Sequence, residues 1–331
     1  MYKNVFVNQC GYLPGMQKKV TIRSEKPTPF SVHKSSGEFV LSGTADKRVE
    51  NASAGETDYI GDFSSLTEPG RYYIMTENRS ESDTFVISEN AYDHVLQKSF
   101  AFFYLQRCGC DLPKEAAGAY AHRACHTGSA LVYGTEEHRE VSGGWHDAGD
   151  YGRYVGPGAM AVAQLLYAYE RNPSLCGSYL SPASKTACPL PAWLEELKYE
   201  LDWMKKMQRE DGALYHKASC RSFCGFIMPE EEQEEIVLSP VSVTATGDFA
   251  AVLAMAVRFY EKYLPAYAAE LADASKKAYQ AMKVMELPGG FKNPPEISTG
   301  EYGDACDRDE RYWAAAELYK TFGDTEYRED F

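Results

Sequence analysis

Residues 85–103 read FVISENAYDHVLQKSFAFF, and the period of the apolar positions changes inside this stretch. Phe85 and Ile87 alternate, as the half-buried side chains of a strand do. Tyr92, Val95, Leu96, Phe100 and Phe103 then recur at intervals of three and four, the spacing of one helix face. Towards the start, short alternating runs are punctuated by turn residues. Val5 and Val7, Val20 and Ile22, Phe30 and Val32, Phe39 to Leu41, Tyr59 and Ile60, and Tyr72 to Met75 all precede Phe85. Ser35-Ser36-Gly37 and Glu68-Pro69-Gly70 are among the turns between them. About seven short strands in so short a segment predict an immunoglobulin-like β-sandwich over residues 1–88.

Beyond Phe103, helical patterns fall at about 157–171, 191–209, 246–263, 265–284 and 309–322. Pro157 and Pro191 stand where first-turn prolines stand, and Asp211-Gly212 follows the third helix. No strand pattern separates these helices, so residues 89–331 are expected to be all-α. There is no fixed-period repeat and no low-complexity tract.

The 331 residues are 44% hydrophobic and 13% aromatic, enough for two domains with a sizeable core. The formal net charge is −14, and no Lys/Arg run makes the basic footprint that a nucleic-acid binder needs. The same acidity opposes anionic lipid, which leaves a neutral or cationic substrate. The 24 Tyr serve a core, or offer flat faces with a polar edge to sugar rings. MYKNVFVNQCGYLPG lacks the apolar centre of a secretory signal, and no run of about 18 apolar residues marks a membrane span. The expected location is cytoplasmic, or secreted if a leader has been lost. Nine irregularly spaced Cys suit free thiols or metal ligands better than a disulfide framework.

Residues 143–152 read GGWHDAGDYG. Asp147 and Asp150 sit among glycines, which allow unusual backbone angles and close approach of a ligand. One carboxylate can polarise a water while the other holds that water or tunes its partner. The same pattern also describes two solvated acids in an Asx turn.

GGWHDAGDYGRY resembles the signature of glycoside hydrolase family 9. VNQCGYLP and LTEPGRYYI resemble parts of the immunoglobulin-like domain that precedes the catalytic domain in one subgroup. CGFIMPEEE, LSPVSVTATGDFAAVLAMA, TGEYGD and DRDERYWAAAELY resemble successive catalytic-domain segments, in family order. The resemblance implies inverting hydrolysis of β-1,4-glucosidic bonds in cellulose-type glucans or cello-oligosaccharides. It makes Asp150 the base that activates water and Asp147 its helper. It makes Cys108, Cys125, His126 and His146 the ligands of a structural Zn2+, with Cys110 an extra thiol beside the first. A Ca2+ ion is a second cofactor, with no ligands assigned. Trp145, Tyr151, His216 and Trp313 lie in segments that line the family's sugar cleft, although Trp313 also suits a helix core. Cys220 and Cys224 are taken as free thiols, since no His partner is evident.

The implied catalytic fold is an α/α barrel of six helical hairpins, of which the helices seen here make about half. The family's general acid, a Glu, falls beyond Phe331, so the chain is expected to be truncated. Two alternatives follow: an inactive carbohydrate-binding fragment lacking the acid, and an exo-acting glucosaminidase relative that the net charge would suit. No protein partner is assigned.

Overall fold

The computed structural model describes residues 4–177, 179, 190–286 and 290–330. The chain divides into two compact units, residues 1–100 and 101–331.

The first unit contains β1 (Val5–Phe6), β2 (Lys19–Arg23), β3 (Thr28–Lys34), β4 (Phe39–Ala45), β5 (Lys47–Asn51), β6 (Glu56–Asp62), β7 (Gly70–Thr76) and β8 (Phe85–Ile87). They form two antiparallel four-stranded sheets, β1-β2-β6-β5 and β4-β3-β7-β8. The alternating residues expected to face inward do so: Val20, Ile22, Phe30, Val32, Tyr72, Ile74, Phe85 and Ile87 share one core. Gly37 takes φ 90° in the turn between β3 and β4, a left-handed angle that costs glycine nothing. The Tyr72 hydroxyl donates to the Glu68 carbonyl at 3.0 Å, the tyrosine corner of immunoglobulin-type sandwiches. β5 is the strand that apolar alternation misses. Its sequence KRVEN has a single apolar residue because it is an edge strand, where charge discourages pairing with another chain. The unit runs past the change of period because the Tyr92 hydroxyl accepts from Asn8 Nδ2 at 2.8 Å and donates to the Gly11 carbonyl at 3.1 Å.

The helices are α1 (Asp93–Leu105), α2 (Lys114–Ala117), α3 (Val155–Arg171), α4 (Pro173–Gly177), α5 (Ala192–Lys206), α6 (Val243–Tyr260), α7 (Pro265–Val284), α8 (Arg308–Phe322) and α9 (Thr325–Glu329). All the long helices read from the sequence are present. α6 begins earlier than its period suggests because Ser242 caps it, its Oγ accepting from Ala245 N at 3.0 Å. α6 packs on α3, α7 and α8 and is the centre of the second unit. It is long and apolar enough to cross a membrane, which the sequence reading overlooked, but 83% of it is buried in protein.

The all-α expectation needs one correction. β9 (Ala130–Val132), β10 (His138–Arg139), β11 (Arg153–Tyr154), β12 (Leu214–Tyr215), β13 (Lys217–Ser219), β14 (Val237–Leu238) and β15 (Val241–Ser242) lie between the helices. They form a five-stranded sheet, β10-β9-β14-β13-β11, and a β12-β15 pair. Strands of two or three residues are too short to show alternation, and several are buried on both faces, which removes it altogether. Antiparallel pairing of β11 with β13 sets Tyr154 opposite Lys217, and both reach the site described next.

Candidate active site and metal centre

Asp147 and Asp150 lie on the loop that precedes β11 and α3. The loop is shaped by backbone angles that ordinary residues avoid. Gly144 has φ 78°, and a Cβ there would come within 2.6 Å of the Trp203 ring. Tyr151 has φ 52° despite its side chain, a strain held by its surroundings. Its hydroxyl donates to the Ile227 carbonyl, and the Cys224 thiol donates to the Gly149 carbonyl at 3.4 Å. Arg153, 1% exposed, donates to the carbonyls of Val141 and Gly143 and fixes the loop's start.

Each carboxylate is held by a phenol. Tyr154 donates to Asp150 Oδ2, and Tyr302 donates to Asp147 Oδ2 at 2.6 Å. Burial first, and the neighbouring carboxylates second, push both phenols above their usual range, so they stay donors at any working pH. Asp150 Oδ1 is buried with no hydrogen-bond partner among the described residues. Buried polar atoms are almost always satisfied, so this lone pair is suited to a bound water. Asp147 is raised above the usual carboxylate range, mainly by burial, with the charge of Asp150 adding to it. Both carboxylates line a cavity of about 480 Å3 together with Tyr151, Tyr154 and Tyr302.

Tyr302 also lines a neighbouring cavity of about 460 Å3 with His216, Met160 and Trp313. Trp313 is half-buried there, on α8. His216 is 3% exposed and stacks on Phe291 with ring centres 3.6 Å apart. Its Nε2 faces the Glu301 carbonyl at 3.0 Å and must carry the proton, so Nδ1 accepts from Ser242 Oγ at 2.8 Å. Burial takes its pKa down to about 4, so the ring is neutral, and it holds the segment before Tyr302. Lys217 acts on the same segment, donating to the carbonyls of Thr299 and Gly300 at 3.2 and 2.7 Å; burial lowers it to about 8. Trp145, expected to face sugar, is 7% exposed. Its Nε1 donates to Glu196 Oε1 at 3.0 Å and its ring packs on Phe103, so it scaffolds the loop and reaches only a small cavity of about 150 Å3.

Tyr154, Tyr302, Lys217, Glu196 and Glu200 were not singled out from sequence. Glu196 and Glu200 carry a signal that could have found them. They stand four apart among the buried residues of α5, where a carboxylate needs a specific partner. Glu196 binds Arg107 through both oxygens at 2.9 and 2.8 Å. Glu200 accepts from Trp145 N at 2.6 Å, and burial lifts it to about 8.

Cys108, Cys125, His126 and His146 converge, with one ligand atom from each lying within 4.8 Å of all the others. Cys108 Sγ is 3.7 Å from His126 Nδ1, and Cys125 Sγ is 3.6 Å from His146 Nε2. Tetrahedral zinc, with sulfur at about 2.3 Å and nitrogen at about 2.0–2.1 Å, sets sulfur and nitrogen about 3.6 Å apart. The donor set therefore fits such an ion. Cys110 is not one of the four, and Cys220 and Cys224 join no metal-type group among the described residues. His126 takes φ 50° to reach the cluster, and Glu232 Oε2 stands 3.0 Å from its Nε2, leaving Nδ1 to face the centre. The Tyr151 ring lies 5.1 Å from that of His146, so the cluster adjoins the carboxylate loop directly. A second group, Asp304, Asp309 and Glu310, offers hard oxygen donors of the kind Ca2+ takes.

The sequence profile of glycosyl hydrolase family 9 matches residues 92–331. The chain belongs to glycosyl hydrolase family 9. The profile of the cellulase N-terminal ig-like domain matches residues 1–81, in line with the sandwich. One relative, the cellodextrinase of Butyrivibrio fibrisolvens, is 40% identical over 99% of this chain and 60% of its own length. Endoglucanase D of Acetivibrio thermocellus is 39% identical over 98% of this chain and 52% of its own length. The structure of AaCel9A in complex with cellobiose-like isofagomine superposes with a TM-score of 0.93 at 38% identity, covering 99% of this chain and 61% of that one. The chain thus spans between half and two thirds of the length of these similar proteins.

Proposed function

We propose that this chain carries the water-activating part of an inverting β-1,4-glucan hydrolase that acts on cellulose-type glucans or cello-oligosaccharides. The observation that carries this is Asp150: one oxygen held by Tyr154, the other buried without a partner, in a cavity shared with a second carboxylate. The similar proteins named as an endoglucanase and a cellodextrinase support the substrate class. Asp150 takes a proton from a water as that water attacks the anomeric carbon. Asp147, anchored by Tyr302, holds the water in line. The glycosidic bond breaks on the opposite face, and its oxygen takes a proton from a separate acid about 6.5–9.5 Å from the base. No residue of this chain is assigned that role.

A substrate whose leaving group departs without a proton tests the base alone. With 2,4-dinitrophenyl β-cellobioside, the expected result is release of dinitrophenolate with α-cellobiose formed first, followed by proton NMR before mutarotation. β-Cellobiose as the first product overturns inversion. Turnover no faster than that of an Asp150→Asn chain overturns the catalytic reading in favour of a carbohydrate-binding one.

The Cys108, Cys125, His126 and His146 group is inferred to hold a structural Zn2+. All four positions are filled by protein, which leaves none for substrate. Glu232 fixes the orientation of the His126 ring. Glu232→Ala is expected to weaken zinc binding by about 10–100-fold, measured by competition with a chromogenic chelator. An unchanged affinity would show that the ring needs no such hold.

A further inference from the structure

The segment from Phe223 to Ile227 lines the carboxylate cavity, and the proposed base chemistry uses none of its side chains. Phe223, Phe226 and Ile227 line that cavity with Asp147 and Asp150. Phe226 is 112% exposed, Phe223 58%, and Ile227 and Met228 38% each. Apolar residues scattered singly over a surface need no explanation. Four within six consecutive positions, beside two carboxylates, do need one.

This exposure is built, because the chain is tied on either side of Phe226, by the Cys224 thiol before it and by backbone groups after it. The Cys224 thiol donates to the Gly149 carbonyl at 3.4 Å, and the Ile227 carbonyl accepts from the Tyr151 hydroxyl. Just beyond, Met228 N donates to Glu231 Oε2 at 2.9 Å. The segment therefore offers its rings on a fixed frame anchored to the catalytic loop itself. A preordered surface loses little freedom when it binds.

The chemistry of the cavity narrows its occupant. Its lining combines Phe223 and Phe226 with the two carboxylates, Tyr154 and Tyr302. An all-apolar peptide would leave Asp150 Oδ1 buried and unpaired, which is costly. A polyanion is opposed by the carboxylates and by the net charge of −14. A β-linked glucosyl ring answers both kinds of lining. Its faces carry only C–H groups, and its equatorial hydroxyls form a hydrogen-bonding rim.

We propose that Phe226, supported by Phe223, is a stacking platform for a glucosyl unit bound beside Asp150. The proposal deepens the glucan-hydrolase reading and rests on it. A platform of this kind selects flat, all-equatorial sugars, since an axial hydroxyl lifts the ring off the aromatic face.

Titration calorimetry of cellotetraose, with Asp150→Asn as the parent chain to prevent turnover, tests it. Adding Phe226→Ala is expected to weaken binding about tenfold. Phe226→Tyr keeps the flat face and should bind within about twofold of the parent. Because the side chain is fully exposed, neither change should move the thermal midpoint. A Phe226→Ala, Phe223→Ala chain that binds as tightly as the parent overturns the platform, and so does a parent that binds no cello-oligosaccharide. Failure of the hydrolase reading shows elsewhere, in dinitrophenyl cellobioside turnover that Asp150→Asn leaves intact.

Discussion

Asp150→Asn is expected to slow hydrolysis of 2,4-dinitrophenyl β-cellobioside by about 10²–10⁴-fold, with cellotetraose affinity preserved. The amide has the shape of the carboxylate and still offers an oxygen to the Tyr154 hydroxyl. It cannot take a proton from water near neutral pH. The loss therefore falls on the chemical step, so kcat drops while KM holds. Circular dichroism and the thermal midpoint should match the parent, since no packing changes. Asp150→Ala adds a second readout. It opens space beside Tyr154 for a small anion, and azide should restore turnover by giving α-cellobiosyl azide. The anomer released by the parent chain separates a base from a nucleophile: α-cellobiose for a base, β-cellobiose for a nucleophile, because the carboxylate of an inverting enzyme never bonds to sugar. A β-azide would show reaction through a glycosyl-enzyme and so overturn inversion, and an Asp150→Asn chain with near-parental rate would show that another group activates water.

Loss of the metal centre is expected to have the largest effect on stability. A ligand that binds only the folded state stabilises it by RT ln(1 + [L]/Kd), so a thousandfold loss of zinc affinity costs about 4 kcal/mol. For a unit of the size of residues 101–331, each kcal/mol moves the midpoint by about 2–4 °C. Cys108→Ser, or removal of zinc with a strong chelator, should then lower the transition of that unit by about 8–16 °C. The sandwich unit contains none of the four ligands, and its transition should stay in place. Calorimetry with and without chelator, alongside metal analysis, checks this. Protein purified without chelator that holds no zinc, with a midpoint indifferent to Cys108→Ser, rules the centre out.

The legible parts of this molecule were those in which one residue type repeats with one period. The sandwich core was readable because Val20, Ile22, Phe30 and Val32 alternate, and α1 because Tyr92, Val95 and Leu96 do not. β5 and the strands β9 to β15 were not readable, being either charged at an edge or too short to repeat. At the site, Asp147 and Asp150 stand in one compact motif. The groups that set their state come from far along the chain. Tyr302 reaches Asp147 across 155 positions, and Lys217 grips the segment before it through contacts more than 80 residues distant. Such pairings have no local signature. Trp145 shows the opposite problem. Its neighbourhood in sequence suggested a sugar face, but Glu196, about fifty positions later, claims its indole N–H.

His146, Asp147, Asp150 and Tyr154 fall within nine consecutive residues, so the proposed metal ligand, helper and base and the phenol that holds Asp150 are one continuous cassette. A graft or a recombination event with crossovers on either side of residues 146–154 would move all four together. Tyr302, His216 and Lys217 would stay behind. A chimera built this way should import a base already seated on its phenol, while the helper arrives without its anchor. Swapping 146–154 alone between relatives would therefore misplace the attacking water. Including the 299–302 segment in the exchange should repair the defect, which makes these two stretches a single inheritable unit despite the distance between them.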